Sequence, residues 1–443
     1  MLGNLNLKLI FEKSNQLGFS QCRIYAERTL TTHVEIQDKD QRSHVQESGG
    51  ISLELTKTEQ NNPLTLRTNQ FSTEAILTLL EVELSPSEAS EVSVPTNFTN
   101  GSLGKKMETL QRLVRKINLD NSLQKPIHFR YQDQKQLFQV CSHPDKIESG
   151  ETNVGEVKVD VISQFRGKNL EFTQEICSTN LDDFERQLQA LPEQIQKRIF
   201  LGSTERWPLP SGELPVGWSA QAIAKLTDCF IRGFEGDLVL RDFSFLCDSA
   251  LPFNFNFSLQ EANISTTVVV DHEGLSRKPV VIFDGKKPRT LATDSWVAKE
   301  FEVDSTGHSR RASFDSPSSI GFWHPVLKGH QETDSVLHLM EKGIWIEEIE
   351  IQELDLISGD ITLHISQANL VHQSQIGESI EPFSWTLCLS DFMGSLTHFN
   401  KDGITNGFFH TKQKQRIFTE YTTPAGLSSV LNLPGTVPQT HYW

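Results

Sequence analysis

The 443-residue sequence lacks several features that would place it quickly. It has no apolar run near the roughly 20 residues that span a bilayer. Its opening, MLGNLNLKLIFEKSNQLG, alternates apolar residues with Asn6 and Lys8, and no small-residue cleavage site follows, so it does not read as a secretory leader. A cytoplasmic protein is expected, with no membrane partner. Basic residues are in deficit: 41 Lys and Arg against 57 Asp and Glu give a net charge of -16. Nucleic acid is thereby disfavoured as a partner, because phosphate binding needs clustered cations. Six cysteines stand far apart with no C-x-x-C pair, which fits isolated reduced thiols better than a disulfide framework or a zinc knuckle. There is no G-x-S-x-G elbow, no G-x-x-x-x-G-K-[ST] loop and no G-x-G-x-x-G turn.

What is present is ordinary globular material, 37% hydrophobic and 22% charged, in a chain long enough for two or three cores. Periodicity predicts a helix at Asn4–Leu17, short strands at Gln21–Ala26 and Thr31–Gln37, a turn at Gly49-Gly50 and a strand at Ile51–Leu55. Ser72–Glu83 and Lys105–Ile117 read as helices, with a Ser85–Gly104 loop between them. Strands follow at Ile127–Tyr131, Gln136–Val140, Val157–Phe165 and Leu170–Cys177, then a helix at Asp182–Arg198. The Pro- and Gly-rich stretch Leu201–Val216 reads as a domain boundary, giving domains 1–205 and 206–443. Beyond it, Trp218–Asp242 reads as one amphipathic helix capped by Ser219 and ended by a left-handed Gly233, then a turn, then a strand at Leu238-Val239-Leu240. The rest reads as strands at Thr266–Val270, Val280–Phe283, Ile344–Ile351, Ile361–Ile365 and Ser384–Leu389, with one helix at Asp334–Lys342. The expected class is α+β: an N-terminal α/β domain, then a β-rich domain with mostly antiparallel sheets.

No spacing identifies a catalytic centre. His272-Glu273 would suit a zinc peptidase only with a second histidine one helical turn on, and those positions hold Ser276 and Arg277. His324, His330 and His338 read as surface residues, and Arg310-Arg311-Ala312-Ser313 as a solvated loop rather than a phosphorylation site.

Several segments taken in order do resemble a family, the TldD/PmbA (TldE) proteins once called modulators of DNA gyrase. Val270-Asp271-His272-Glu273-Gly274 and Val281-Ile282-Phe283-Asp284-Gly285 are similar to its acidic turn and following hairpin. Asp304-Ser305-Thr306-Gly307-His308-Ser309-Arg310-Arg311 is similar to its S-T-G-N-x-R segment. Leu337–Ile346, Ser358-Gly359-Asp360 and the opening segments through Gln46–Ile51 follow the family order. Gly233-Phe234-Glu235-Gly236-Asp237 matches the family's G-L-E-G-D, which closes an H-E-x-x-x-H zinc helix in TldD-like subunits. Counting back, the resemblance puts Thr227, Asp228 and Arg232 where the His, Glu and His of that helix would stand. The last cysteine, Cys388, lies upstream of the family's third ligand, and Lys401–Lys412 offers only His410. The tail Gln413–Trp443 replaces the family's glycine-rich one.

The resemblance therefore implies a PmbA/TldE-like, catalytically silent subunit. No metal or other cofactor is expected, and no activity from the chain alone. Its implied partners are a TldD-like zinc protease subunit, or itself in a dimer, and unfolded peptide bound by strand addition. Two other readings stand beside it: a stand-alone homodimeric peptide-binding or scaffold protein, and an enzyme with a relocated site drawn from His272, Glu273, His308 or His410.

Overall fold

A computed structural model describes residues 1–37, 40–57, 64–82, 128–165, 168–179, 181–203, 205–247, 253–262, 270–412 and 415–434. The expected Ser85–Gly104 loop, the Lys105–Ile117 helix, most of the Thr266–Val270 strand and residues 435–443 of the tail lie outside them. The architecture is α+β with mostly antiparallel sheets.

The first half is built on a six-stranded antiparallel sheet. Its order is Leu64–Thr68, Asp40–Thr56, Gln21–Gln37, His128–His143, Lys146–Phe165 and Lys168–Ser178. The two strands expected at 21–37 are one, paired without interruption to Asp40–Thr56. Glu27, mid-strand and buried, is stable there because the Tyr25 and Thr29 hydroxyls donate to its carboxylate at 2.9 and 2.6 Å. Gly49 and Gly50 form no turn; they pair with Arg28 and Glu27 inside the ladder. Ile127–Tyr131 and Gln136–Val140 are likewise parts of one strand, His128–His143.

Alternation gives this sheet two distinct faces. On one, Ile24, Ala26, Leu53 and Leu55 pack on the helices Leu7–Gln16 and Thr73–Val82. Farther along the same face, Val34, Phe129, Tyr131 and Val157 pack on Phe184, Leu188 and Leu191 of the helix Leu181–Ser203. On the other face, Tyr25, Phe138 and Val140 meet Val270 of the second half.

The second half holds a nine-stranded mixed sheet and a five-stranded sheet. The strand Glu213–Trp218 sits in the middle of the larger one. It pairs parallel with Lys342–Leu354 and antiparallel with Gly426–Asn432. The smaller sheet runs Val281–Phe283, Phe257–Glu261, Pro325–Gly329, Gln415–Thr423 and Ile404–Lys412. Between the sheets lies the helix Ala220–Arg232, against Lys342–Leu354 on one side and Gln415–Thr423 on the other. Its start is fixed by Ser219, whose hydroxyl accepts from the Ala222 N–H at 3.1 Å and donates to the Glu347 carbonyl at 2.7 Å.

Three local expectations need correction. Leu238–Leu240 is not a strand but part of a short helix, Gly236–Leu240, because the Glu235 carbonyl accepts from the N–H groups of both Leu238 and Val239. Gly233 ends its helix with φ at -61°, not left-handed. Glycine is required there for space, since a Cβ would lie 2.4 Å from the Phe245 ring. The Asp334–Lys342 helix shrinks to one 3-10 turn, Val336–Leu339, and a strand begins at Lys342. Gly343 stops nothing; it lets the Pro215 backbone approach, where a Cβ would meet the carbonyl at 2.5 Å.

Candidate functional site

The Ala220–Arg232 helix buries Ile223, Leu226, Phe230 and Ile231. The next residues round the helix are therefore held firmly. Thr227 is fully buried and its hydroxyl has no hydrogen-bond partner among the described residues. Asp228 accepts a 2.5 Å hydrogen bond from the Tyr421 hydroxyl on the Gln415–Thr423 strand. Arg232 closes the helix, half-buried. Burial and the Asp228 charge push the neighbouring Cys229 thiol well up, so it stays a protonated, inert sulfhydryl. These residue types do not fit a zinc ion: a threonine hydroxyl is a poor ligand, and an arginine cannot shed its proton. Cys388 lies at a strand end beside Ser390, and the side chain of His410 is outside the described residues. A group with metal-ligand spacing does form elsewhere, from Glu156, Glu175 and Cys177. The Lys158 ammonium already bridges its two carboxylates at 3.1 and 3.3 Å.

The other motif residues converge on one segment, Ala292–Ser295, which the sequence reading did not single out. Phe234 and Gly236, beside the buried Glu235 and Asp237, exchange backbone hydrogen bonds with Ala292. Thr306 and Thr293 bond each other through both hydroxyls and backbone N–H groups, and Ser305 donates to the Thr293 carbonyl at 3.2 Å. Glu273 accepts from the Ser295 N–H at 2.8 Å. Asp271 closes the acidic turn: its carboxylate takes the N–H groups of Glu273, Leu275 and Ser309 at 2.9, 2.9 and 3.1 Å. Gly274 and Gly307 complete the turns with φ of 78° and 73°.

This knot is tied to the first half by charge. Arg23 reaches Glu273 at 2.7 Å and Glu54 at 3.2 Å, and the buried Arg311 pairs with Glu54. Arg310, also buried, donates to the Phe322 and Phe418 carbonyls and lies 4.3 Å over the Trp323 ring. With both arginines buried, they are not a solvated basic flank to Ser313. Burial drives His272 down to about 3 and His308 to about 4, so both are neutral at pH 7. His272 sits among Phe138, Tyr25 and Trp323, while His308 bonds Thr306 at 2.8 Å and packs on Phe322. Of the earlier histidine group, His330 and His338 are exposed, but His324 is half-buried and bonds Thr422 at 2.7 Å.

Burial and the Glu273 charge raise Asp271 to about 7 and Asp294 to about 6, from an ordinary 3.8. Each binds its proton more tightly folded than unfolded. The stability they confer is fully present below about pH 4 and is lost as pH rises through their folded values. Asp294→Asn keeps the cap that accepts from the Val297 N–H at 2.8 Å. The variant should gain about 1 kcal/mol at pH 7 and flatten the slope of stability between pH 4 and 6, measured by urea melts. An unchanged slope would show that Asp294 ionises freely.

Helix, acidic turn and hydrogen-bonded loop all lie in the second half of the chain. Residues 211–425 match the PmbA/TldA metallopeptidase C-terminal domain, and this part of the chain belongs to the PmbA/TldD family. No curated protein matches it at a significant level. Its fold is shared with TldE from Thermococcus kodakarensis, at TM-score 0.75 and 13% identity over 97% of this chain and 99% of that one. Two proteins named as proposed modulators of DNA gyrase share it too, each over 96% of this chain and 98% of their own. That from Thermotoga maritima gives TM-score 0.72 at 17% identity, and that from Bacteroides thetaiotaomicron 0.71 at 15%.

Beyond the motifs, sequence reasoning missed Arg23 and Glu54, which reach Glu273 and Arg311 across 250 and 257 residues, and Glu261, which pairs with Arg277. Only Asp294 carried a local sign, as an acidic cap before a short helix.

Proposed function

We propose that this chain is a catalytically silent, PmbA/TldE-like subunit. It pairs with a TldD-like zinc peptidase subunit, and its contribution is to hold extended, unfolded peptide by strand addition. It works as two domains, 1–205 and 206–443, in the cytoplasm. One observation carries the reading. On the helix that the family resemblance assigns to metal, the side chains are Thr227, Asp228 and Arg232, and Asp228 is already bonded to Tyr421. An aspartate so engaged, with no metal to acidify a water, has nothing to activate. Burial of His272 and His308 and the pairing of Glu273 with Arg23 speak against a relocated site.

The test is purification from the native cell followed by metal analysis and a peptide-cleavage assay. A co-purifying H-E-x-x-x-H chain that carries all the zinc and all the cleavage is the expected result. A clean homodimer would favour the stand-alone scaffold. Stoichiometric zinc and cleavage by this chain alone would overturn the proposal.

A further inference from the structure

The face of the six-stranded sheet opposite the Leu181–Ser203 helix is hollow near the far end of its long strands. The cavity there is about 650 Å³, within the range that holds small organic ligands. Register explains its lining. His44, His33, Gln132 and Glu156 stand side by side across four strands. Two residues along, on the same face, stand Arg42, Glu35, Arg130 and Lys158. The intervening Val34, Tyr131 and Val157 point the other way, into the helix-covered core.

Most of these charges are already matched. Lys158 is shared by Glu156 and Glu175, Arg130 pairs with Asp160 at 2.7 Å, and Glu35 takes His128 at 2.6 Å. Three donors are not. Arg42, His33 and His44 have no hydrogen-bond or ion-pair partner among the described residues, and all three line the cavity. The two imidazoles stack with centroids 4.5 Å apart and planes 18° from parallel. A guanidinium beside two imidazoles, each with an N–H to offer, suits a planar monoanion that a guanidinium can grip bidentately. Glu35 and Glu156 in the same cavity oppose a dianion such as phosphate and would welcome a cationic or N–H group a few ångströms away.

We propose that this cavity binds small carboxylate ligands, with the free C-terminus of a short peptide as the chemistry that fits both signs of its lining. Arg42 and the His33–His44 pair hold the carboxylate; Glu35, Gln132 and Glu156 face the rest of the ligand. The proposal does not depend on pairing with a zinc subunit, since the site is built by one chain.

Binding is linked to protons. Burial and His44 hold the pKa of His33 down, with Asp133 acting the other way. Arg42, Arg130, Glu35, Glu156 and Lys158 are the other charged groups on the cavity wall. A bound carboxylate favours the protonated His33, so affinity falls as pH rises above about 6.

Calorimetric titration of the full chain with trialanine, trialanine amide and inorganic phosphate tests this. Trialanine binds at about pH 6, and the amide binds about tenfold more weakly or not at all, the loss of a charge-assisted contact. Phosphate binds more weakly than trialanine. R42Q, at an exposed position that leaves the sheet core untouched, weakens trialanine by about tenfold. Equal binding of acid and amide by the native chain overturns the proposal without any variant. So does no binding at pH 6, tighter binding of phosphate, or an R42Q chain with native circular dichroism and undiminished affinity.

Discussion

Phe283→Ala lowers the stability of the fold by about 3–5 kcal/mol, the cost of deleting a fully buried aromatic ring. Phe283 is wholly inaccessible, and five other phenylalanine rings surround it. Centroid distances are 5.3 Å to Phe255, 5.6 Å to Phe253, 5.9 Å to Phe230 and Phe257, and 6.0 Å to Phe234. Phe230 belongs to the helix that bears Thr227 and Asp228, so this cluster clamps that helix from behind. Urea melts would show the midpoint shift, with Phe283→Leu recovering a good part of it. A loss below about 1 kcal/mol would mean the site collapses freely around the missing ring.

The second large effect is electrostatic. Glu261 gathers three donors on one carboxylate oxygen: Arg277 at 3.0 Å and the N–H groups of Trp323 and His324 at 3.0 and 2.9 Å. Its side chain is 2% exposed and that of Arg277 11%, so the pair is shielded from water. Glu261→Ala takes the carboxylate from a shielded guanidinium and strands two backbone donors, and should cost about 3–5 kcal/mol. Glu261→Gln keeps an acceptor for the backbone and should lose less. Removing Arg277 as well should return much of the loss, because a missing pair is cheaper than half of one. A double-mutant cycle measures the coupling, and a coupling near zero would refute the account.

Much of this fold was legible. Apolar spacing located the helices at 7–16, 181–203 and 220–232, and alternation located the strands at 344–351 and 361–365. Short segments were misread wherever distant partners decide the backbone. Leu238-Val239-Leu240 has strand-forming residues, but the carbonyl of Glu235 and the contact with Ala292 wind it into a helix. Gly49-Gly50 looks like a turn until Glu27 and Arg28 pair with it from the neighbouring strand. The candidate site was half visible. Thr227, Asp228 and Arg232 were found by family likeness, and no local pattern announces Tyr421, which joins Asp228 from 193 residues downstream. The unmatched donors of the sheet cavity were beyond reach for the same reason. His33 and His44 stack only once the long hairpin sets its register.

The strand Glu213–Trp218 lies in the middle of its sheet, bonded along one edge to Gly426–Asn432. That edge has an order-of-events consequence. A ribosome makes the two strands about two hundred residues apart, so one side of Glu213–Trp218 has no pairing partner until Gly426–Asn432 has been made. The helix that follows it must wait with its apolar side uncovered. Such long-range closure is slow and exposes sticky surface meanwhile. The second half of this protein therefore matures late and nearly all at once, while the six-stranded sheet before it closes over shorter separations and can assemble first.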